Sequence, residues 1–333
     1  MAEEIKLAHG GGGTLMADLI RREIMPALGS KGPLDFSDSA RLDIEGVSLA
    51  FTTDSFVVQP LFFPGGDIGR LAVCGTVNDL ATRGARPLAL SLGFILEEGL
   101  PIETLRRVLQ SISRAACEAG VEVVTGDTKV VERGSASGMF INTSGIGLLR
   151  RDLDYSPARI APGDLLIVSG PIGDHGIAVV SVREGLSFVS GVESDVAPLG
   201  EMVRQAVEAV GPQIKCMKDP TRGGVAATVN EMAQNAGFVL DEKSIPVRPA
   251  VRGACEMLGF DPLTVANEGK MLFVVAAQAA ERTLEVLRAN PLGVQAAIIG
   301  KADSRKGLVR LKTSIGGERI LETPYGEELP RIC

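Results

Sequence analysis

The chain has 333 residues, 45% of them hydrophobic and 23% charged, with a formal net charge of -7. That length suits two domains, and the acidic balance supplies no basic surface for nucleic acid or an anionic membrane. The opening "MAEEIKLAHGGGG" has no apolar signal core and no apolar run approaches the roughly 18 residues of a membrane span, so a cytoplasmic protein is expected.

"LAHGGGGTLMADLIRREIMPALG" runs from four glycines into an amphipathic helix carrying Leu15, Leu19, Ile20 and Ile24 at helical spacing. "GVSLAFTTDSFVV" reads as a strand, and "DIGRLAVCGTVNDLATRG" as a helix capped by Asp67 and ended by Gly84. "RPLALSLGFILEEG" is a strand, "IETLRRVLQSISRAACEAG" a helix stopped by Gly120, and "VEVVTGDTKVV" and "MFINTSGIGLL" are strands. "RRDLDYSPARIAPGD", rich in Pro, Asp and Arg, marks the domain boundary. Beyond it come a strand, turn and helix in "DLLIVSGPIGDHGIAVVSVREG", and a helix in "KDPTRGGVAATVNEMAQNAG" with Asp219 as N-cap and Pro220 at its first position. The strand "MLFVVAAQ", the helix "AAERTLEVLRAN" and the strand pair "GLVRLKT" and "ERILETP" follow. Neither half alternates strictly between strand and helix, which points to two α+β units. After Pro324 the chain has nothing evident left to pack, and it ends on "PRIC".

Five scattered cysteines without a CxxC pair, and only two histidines, argue against zinc sites and disulfides. Cys74, Cys117 and Cys255 read as small core residues, Cys216 is undecided, and Cys333 as last residue stands apart. Asp54, Asp79 and Asp127 sit where elements meet loops. They serve either as turn and capping residues or as oxygen ligands for magnesium beside nucleotide phosphates. Lys129 lies two residues after Asp127, and Asn78 beside Asp79. Gly10, Gly11, Gly12 and Gly13 precede a helix but follow no strand, so they read either as a linker or as backbone donors to phosphate. Arg222 at the positive end of a helix is explained by an anion bound there. "ANEGK" sets Asn267, Glu268 and Lys270 before a buried strand, as a plain turn or with Glu268 as a base. His175 reads as a helix cap or a residue lining a cleft.

Taken in order, "TTD", "VNDLATRGA", "GDTKV", "SGPIGDHG", "DPTRGG" and "ANEG" closely resemble the aminoimidazole ribonucleotide synthetase superfamily, which includes selenophosphate synthetase and thiamine-phosphate kinase. "HGGGG" near the start and the terminal "PRIC" resemble the HypE hydrogenase maturation family within it, across essentially the whole chain. The resemblance implies an α+β, two-domain aminoimidazole ribonucleotide synthetase-like fold, each domain a mixed sheet packed with helices. Its parts would be a glycine-rich segment and helix over 1–43, an ATP-binding and dimerisation domain over 44–155, a C-terminal α+β domain over 156–323, and a flexible tail over 324–333. It further implies ATP-dependent dehydration of an S-carboxamide on Cys333 to a thiocyanate, which supplies a cyano ligand to iron in nickel-iron hydrogenase. The HypF carbamoyltransferase would load Cys333, a HypC–HypD complex would accept the cyano group, and the protein would form a homodimer.

In that scheme Asp54, Asp79 and Asp127 hold Mg2+, while Asn78, Asp79, Asp219, Asn267 and the glycines Gly10 to Gly13 contact ATP. Glu268 is the proton acceptor, Lys129 neutralises the transferring phosphoryl or replaces Glu268 as base, and Pro330 and Arg331 address the tail. A small-molecule kinase of the same superfamily and a non-catalytic assembly scaffold remain the alternatives; the kinase leaves the terminal cysteine unexplained. Selenophosphate synthetase is disfavoured because no cysteine precedes Cys74.

Overall fold

The computed structural model describes residues 4–29, 37–186, 191–326, 329 and 331–333; Pro330 lies outside them. The N-terminal helix is not continuous. Helix α1 (Thr14–Leu19) widens into a π turn over Ile20–Ile24 before the short α2 (Met25–Ala27). Pro26, which has no N–H to donate back along the helix, accompanies the change.

Strands β1 (Ala40–Ile44) and β2 (Val47–Phe56) form a hairpin, a small β3 (Phe62–Phe63) and β4 (Gly66–Asp67) follow, and α3 spans Ile68–Thr82. Asp67 caps α3 as expected, its Oδ1 accepting from Gly69 N at 2.8 Å and Arg70 N at 3.1 Å. Strand β5 (Arg86–Glu97), α4 (Ile102–Ala119), β6 (Glu122–Val131) and β7 (Met139–Leu148) complete the half. The first sheet has the order β1-β2-β7-β5-β6, antiparallel except where β5 and β6 run parallel. Its even-numbered β2 residues, Ala50, Thr52, Asp54 and Phe56, turn toward α3, which is buried on nearly every side between this sheet and the second domain. Gly75 makes that approach tight, since a Cβ there would lie 2.9 Å from the Phe56 ring. A mid-helix glycine costs stability, and here it lets β2 bring Asp54 against α3.

The second domain comprises β8 (Leu165–Val168), α5 (Asp174–Arg183), α6 (Gly200–Val210), β9 (Ile214–Lys218), α7 (Gly224–Met232), β10 (Gly237–Asp241), α8 (Pro249–Leu258), β11 (Leu272–Val275), α9 (Ala280–Ala289), β12 (Ala297–Asp303), β13 (Val309–Lys312) and β14 (Glu318–Ile320). Its sheet, ordered β14-β13-β10-β12-β8-β11-β9, is mixed because β10 and β13 pair in parallel. The two-domain α+β expectation therefore holds. Helix α7 packs on one face of the sheet, and α6 with α9 on the other.

Three local expectations are corrected. Helix α7 begins at Gly224 with Gly223 as N-cap, so Asp219 does not cap it. Gly223 and Gly224 both have positive φ, and a Cβ on Gly224 would meet the Leu263 carbonyl oxygen at 2.5 Å, so "DPTRGG" forms a loop pressed against its neighbour. His175 does not cap α5, whose N-cap is Gly173. Cys117 is exposed, whereas Cys74, Cys216 and Cys255 are buried, with thiols pushed by burial to about 12, about 12 and about 11.

The tail is docked on its own chain. Val57 N donates to the Cys333 carbonyl at 3.1 Å and Gln59 N to the Arg331 carbonyl at 3.2 Å, which continues β2 pairing past its end. Leu329 and Ile332 are buried in the same apolar core as Phe56 and Ile177. Arg331 Nε donates to the Val57 carbonyl at 3.0 Å and its Nη1 to Ser137 Oγ at 2.8 Å.

Candidate active site between the two domains

Each domain contributes one wall of a cavity of ≈ 250 Å³. From the first, β2 supplies Asp54 and α3 supplies Asp79, one helical turn beyond Gly75; Thr52 Oγ1 lies 2.9 Å from Asp79 Oδ2. From the second, the end of β9 and the start of β11 are sheet neighbours, with Lys218 paired to Leu272. The loops flanking them therefore place Asp219 and Arg222 beside Glu268. The tail brings Cys333 into the same cavity.

Six carboxylates line this space, Asp38, Asp54, Asp79, Asp219, Glu231 and Glu268, and burial makes Glu268, Asp79, Asp219 and Asp54 resist ionisation. Burial, then the charges of Asp219, Asp54 and Asp195, holds Glu268 well above the usual carboxylate range, with Arg222 opposing. Asp79 is likewise held well above it by burial and by Asp219, Asp54 and Asp38. Asp219 is pushed up to about 8, chiefly by burial and then by Asp38. Burial also raises Asp54, against Arg222 and the Ser55 N–H. Glu268 Oε1 is buried without a hydrogen-bond partner among the described residues. Arg222 is held in its charged form first by the negative charge at Cys333, then, against burial, by Asp54, Glu268 and Asp79.

Other sequence candidates lie elsewhere. Asn78 Nδ2 donates to the carbonyls of Ala197 at 3.0 Å and Glu268 at 3.3 Å, and its Oδ1 accepts from Leu199 N at 2.8 Å. Asn267 Oδ1 accepts from Gly173 N at 2.7 Å and Nδ2 donates to the Pro220 carbonyl at 2.9 Å. Both amides are buried and committed to holding protein loops, which makes them organisers of the site. The glycine run is strapped down. Arg222 Nη1 donates to the Gly10 carbonyl at 3.3 Å, a Cβ on Gly12 would lie 2.7 Å from Arg222 Cβ, and one on Gly13 would lie 2.3 Å from the Pro324 carbonyl oxygen. Gly11 is buried behind it. The N–H groups of Thr14 and Leu15, at the start of α1, donate to the carbonyls of Pro324 at 3.0 Å and Tyr325 at 3.2 Å. In this arrangement tail carbonyls take two of the donors at the start of α1.

Asp127 and Lys129 do not meet Asp54 and Asp79 within one chain. The register runs Ser55–Asn142–Gly93–Asp127, so Asp127 stands three strands from β2, about 14 Å at the usual strand spacing. Alternation also turns Asp127 and Lys129 to the open face, away from α3, where they are exposed and ion-paired to each other. Hydrogen bonding from Lys129 holds Asp127 below the usual carboxylate range.

Two ion-pair clusters near the site are not expected from the sequence: Lys218 is not singled out there, and Lys270 is singled out without its partner. Lys218 Nζ lies 3.1 Å from Asp38 Oδ1 and 2.6 Å from Glu231 Oε2, a buried cation bridging the domains between two partly exposed acids that line the cavity. Lys270 Nζ pairs with Asp195 at 3.0 Å, and Asp195 Oδ1 accepts from Glu268 N at 3.1 Å. Both clusters join distant segments, which a local pattern does not reveal.

The fold and this interdomain cavity define the class. Residues 36–149 match the N-terminal domain of AIR synthase related proteins and residues 161–311 match their C-terminal domain. A carbamoyl dehydratase HypE from Bradyrhizobium diazoefficiens is 49% identical over 332 residues, 99% of this chain and 96% of that protein. The crystal structure of a HypE–HypF complex gives a TM-score of 0.87 at 46% identity, covering 92% of this chain and 99% of that one. A HypE structure in complex with ATP gives 0.83 at 47%, covering 99% and 100%. The chain belongs to the HypE family of the AIR synthase related proteins.

Proposed function

We propose that this protein is an ATP-dependent carbamoyl dehydratase of hydrogenase maturation, acting on a carboxamide carried by its own Cys333. The observation that carries this reading is the docking of Cys333 in the cavity that holds Glu268, Arg222, Asp54, Asp79 and Asp219. A small-molecule kinase gives no account of a terminal cysteine placed there, and a scaffold gives none of the unpaired buried carboxylate beside it.

The chemistry is the removal of one water from a thiocarbamate, S–C(=O)–NH2, to leave S–C≡N. ATP supplies a phosphoryl group that makes the oxygen a leaving group, and Mg2+ neutralises phosphate charge. The donor set fits such an ion. Asp54, Asp79 and Asp219 offer oxygen atoms whose mutual repulsion a cation would relieve, but among the described residues no three acidic, Cys or His side chains are arranged to hold a metal ion by themselves, so they would hold it only together with nucleotide phosphate oxygens. Magnesium that keeps waters and phosphate oxygens needs no such cage. Arg222 steadies the negative charge that builds at the reacting oxygen. Glu268, whose pKa is raised by burial and its acidic neighbours, would take one proton from nitrogen, and the second nitrogen proton would leave with the phosphate as the C–O bond breaks and the C≡N bond forms. Within one chain Lys129 does not reach this nitrogen, which favours Glu268 as the base and leaves Lys129 only through a second subunit.

HypF is the proposed loading partner and a HypC–HypD complex the acceptor of the cyano group. A homodimer is proposed through the open face of the first sheet, where Leu42, Ile44, Val47, Phe51, Ile146 and Leu148 are all exposed. An apolar face of that kind marks an interface. It also carries Asp127 and Lys129, which reach a second subunit's nucleotide only through this pairing. Light scattering at micromolar concentration is expected to give a dimer, and Phe51→Arg a monomer.

The function itself is tested on carbamoyl-loaded protein given Mg2+ and ATP, by the mass of the C-terminal peptide. Loss of one water, dependent on ATP and absent in Cys333→Ala, is the expected result. ATP hydrolysis without that loss would refute the dehydratase.

A further inference from the structure

His175 has no place in the chemistry above, yet it is among the most constrained side chains near the tail. It is completely buried, and its two ring nitrogens both have partners. Nε2 lies 2.8 Å from the Ile332 carbonyl oxygen and Nδ1 lies 2.8 Å from Ser194 Oγ. A carbonyl only accepts, so Nε2 carries the proton; Nδ1 of the neutral ring then accepts from the Ser194 hydroxyl. Ser194 is itself fixed, because its Oγ accepts from Val196 N at 3.1 Å and its N donates to the Pro64 carbonyl at 2.8 Å. The ring meets Phe63 edge to face, with centroids 5.4 Å apart at 87°. Burial lowers the imidazole's basicity, which keeps the ring in this neutral form.

We propose that His175 is the positioning residue for the tail, with Ser194 selecting the tautomer that grips the backbone one residue before Cys333. Other hydrogen bonds on the tail's last three residues act on the edge nearest β2: Val57 N and Gln59 N donate to the carbonyls of Cys333 and Arg331, and Arg331 reaches back to Val57 and Ser137. The Ile332 carbonyl instead meets His175 Nε2, on a helix of the second domain. His175 therefore clamps the tail from the side of the second domain, and the two domains together fix the register that presents the sulfur to the cavity. The grip is on main chain, so it does not depend on what Cys333 carries.

This inference rests on reading Cys333 as the substrate carrier only for its biological meaning. Its test uses the full-length, unloaded protein without ATP, so a failure of the dehydratase reading leaves the outcome interpretable. The rate of Cys333 alkylation by iodoacetamide is followed by the mass of the C-terminal peptide, with buried Cys74 and Cys255 as internal reporters of general loosening. His175→Leu leaves the Ile332 carbonyl buried and unsatisfied, and an increase of about tenfold at Cys333 is expected, with Cys74 and Cys255 unchanged. His175→Gln, whose amide N–H donates from nearly the same place, is expected to restore most of the protection. Ser194→Ala, which frees the tautomer, is expected to give a smaller rise. An unchanged Cys333 rate in His175→Leu overturns the proposal. So does an equal rise in the Gln and Leu variants, or a rise at Cys74 and Cys255 in step with Cys333, which would reduce His175 to a general core residue.

Discussion

Glu268→Gln is expected to slow the loss of water from carbamoyl-loaded Cys333 by about 10²–10⁴-fold, the usual worth of a general base, while ATP still binds. The substitution isolates proton removal because the resting protein already holds Glu268 in a state close to the neutral amide. Its pKa is raised first by burial and then by Asp219, Asp54 and Asp195, against Arg222, and the rise favours the neutral form. Gln matches that form in shape, and thermal stability should not fall. The pH profile supplies a second readout. A base must be deprotonated to act, so the wild-type rate falls as pH drops through the raised pKa of Glu268, and the Gln variant loses that limb. A Gln variant with undiminished turnover would move the base elsewhere, to Lys129 of a second subunit.

Lys218→Met is expected to be the most destabilising single change around the site, by about 3–5 kcal/mol at neutral pH. Lys218 is 4% exposed and lies between Asp38 and Glu231. Removing it leaves two acids facing one another in low dielectric with no cation between them. The sign of the pH dependence follows. Burial raises the pKa of Glu231 even with Lys218 present, and losing the cation raises it further. A carboxyl whose folded pKa lies above its unfolded one binds protons more tightly in the folded state, so stability is lost as pH rises through that range and recovered as pH falls. Urea titrations at pH 5 and pH 8 should therefore show a larger deficit at pH 8. A deficit independent of pH would mean that packing of the lysine stem, not its charge, matters.

Much of the first domain was legible because its strands alternate cleanly and its helices carry explicit ends, Asp67 and Gly120 among them. The second domain was less so. "IKCMK" at β9 and "GFVLD" at β10 are five-residue strands buried in a seven-stranded sheet, with neither alternation nor length to mark them. Asp219 misled for a physical reason: Asp-Pro is a good helix start, but two glycines at positive φ delay α7 to Gly224 and leave the aspartate facing the cavity. Asp54, Asp79, Asp219 and Glu268 were recognisable as acids at element ends, and the structure brings them together. Asp127 and Lys129 share that local character, yet which sheet edge and which face they occupy depends on register, which a one-dimensional pattern does not contain. Asn78 and Asn267 show the converse, since a buried amide that braces loops looks in sequence like one that reads a nucleotide.

The tail lies in the cavity of its own chain, and on the proposed reading this changes what kinetic order means here. The carboxamide and the side chains that act on it share one polypeptide, so the carboxamide has no bulk concentration and no KM of its own. Only ATP can saturate the reaction, and the single-turnover rate constant is expected to stay the same when the protein is diluted. Each chain then completes one dehydration per loading, and the overall pace of the protein is set by how often its tail leaves, is recharged and returns.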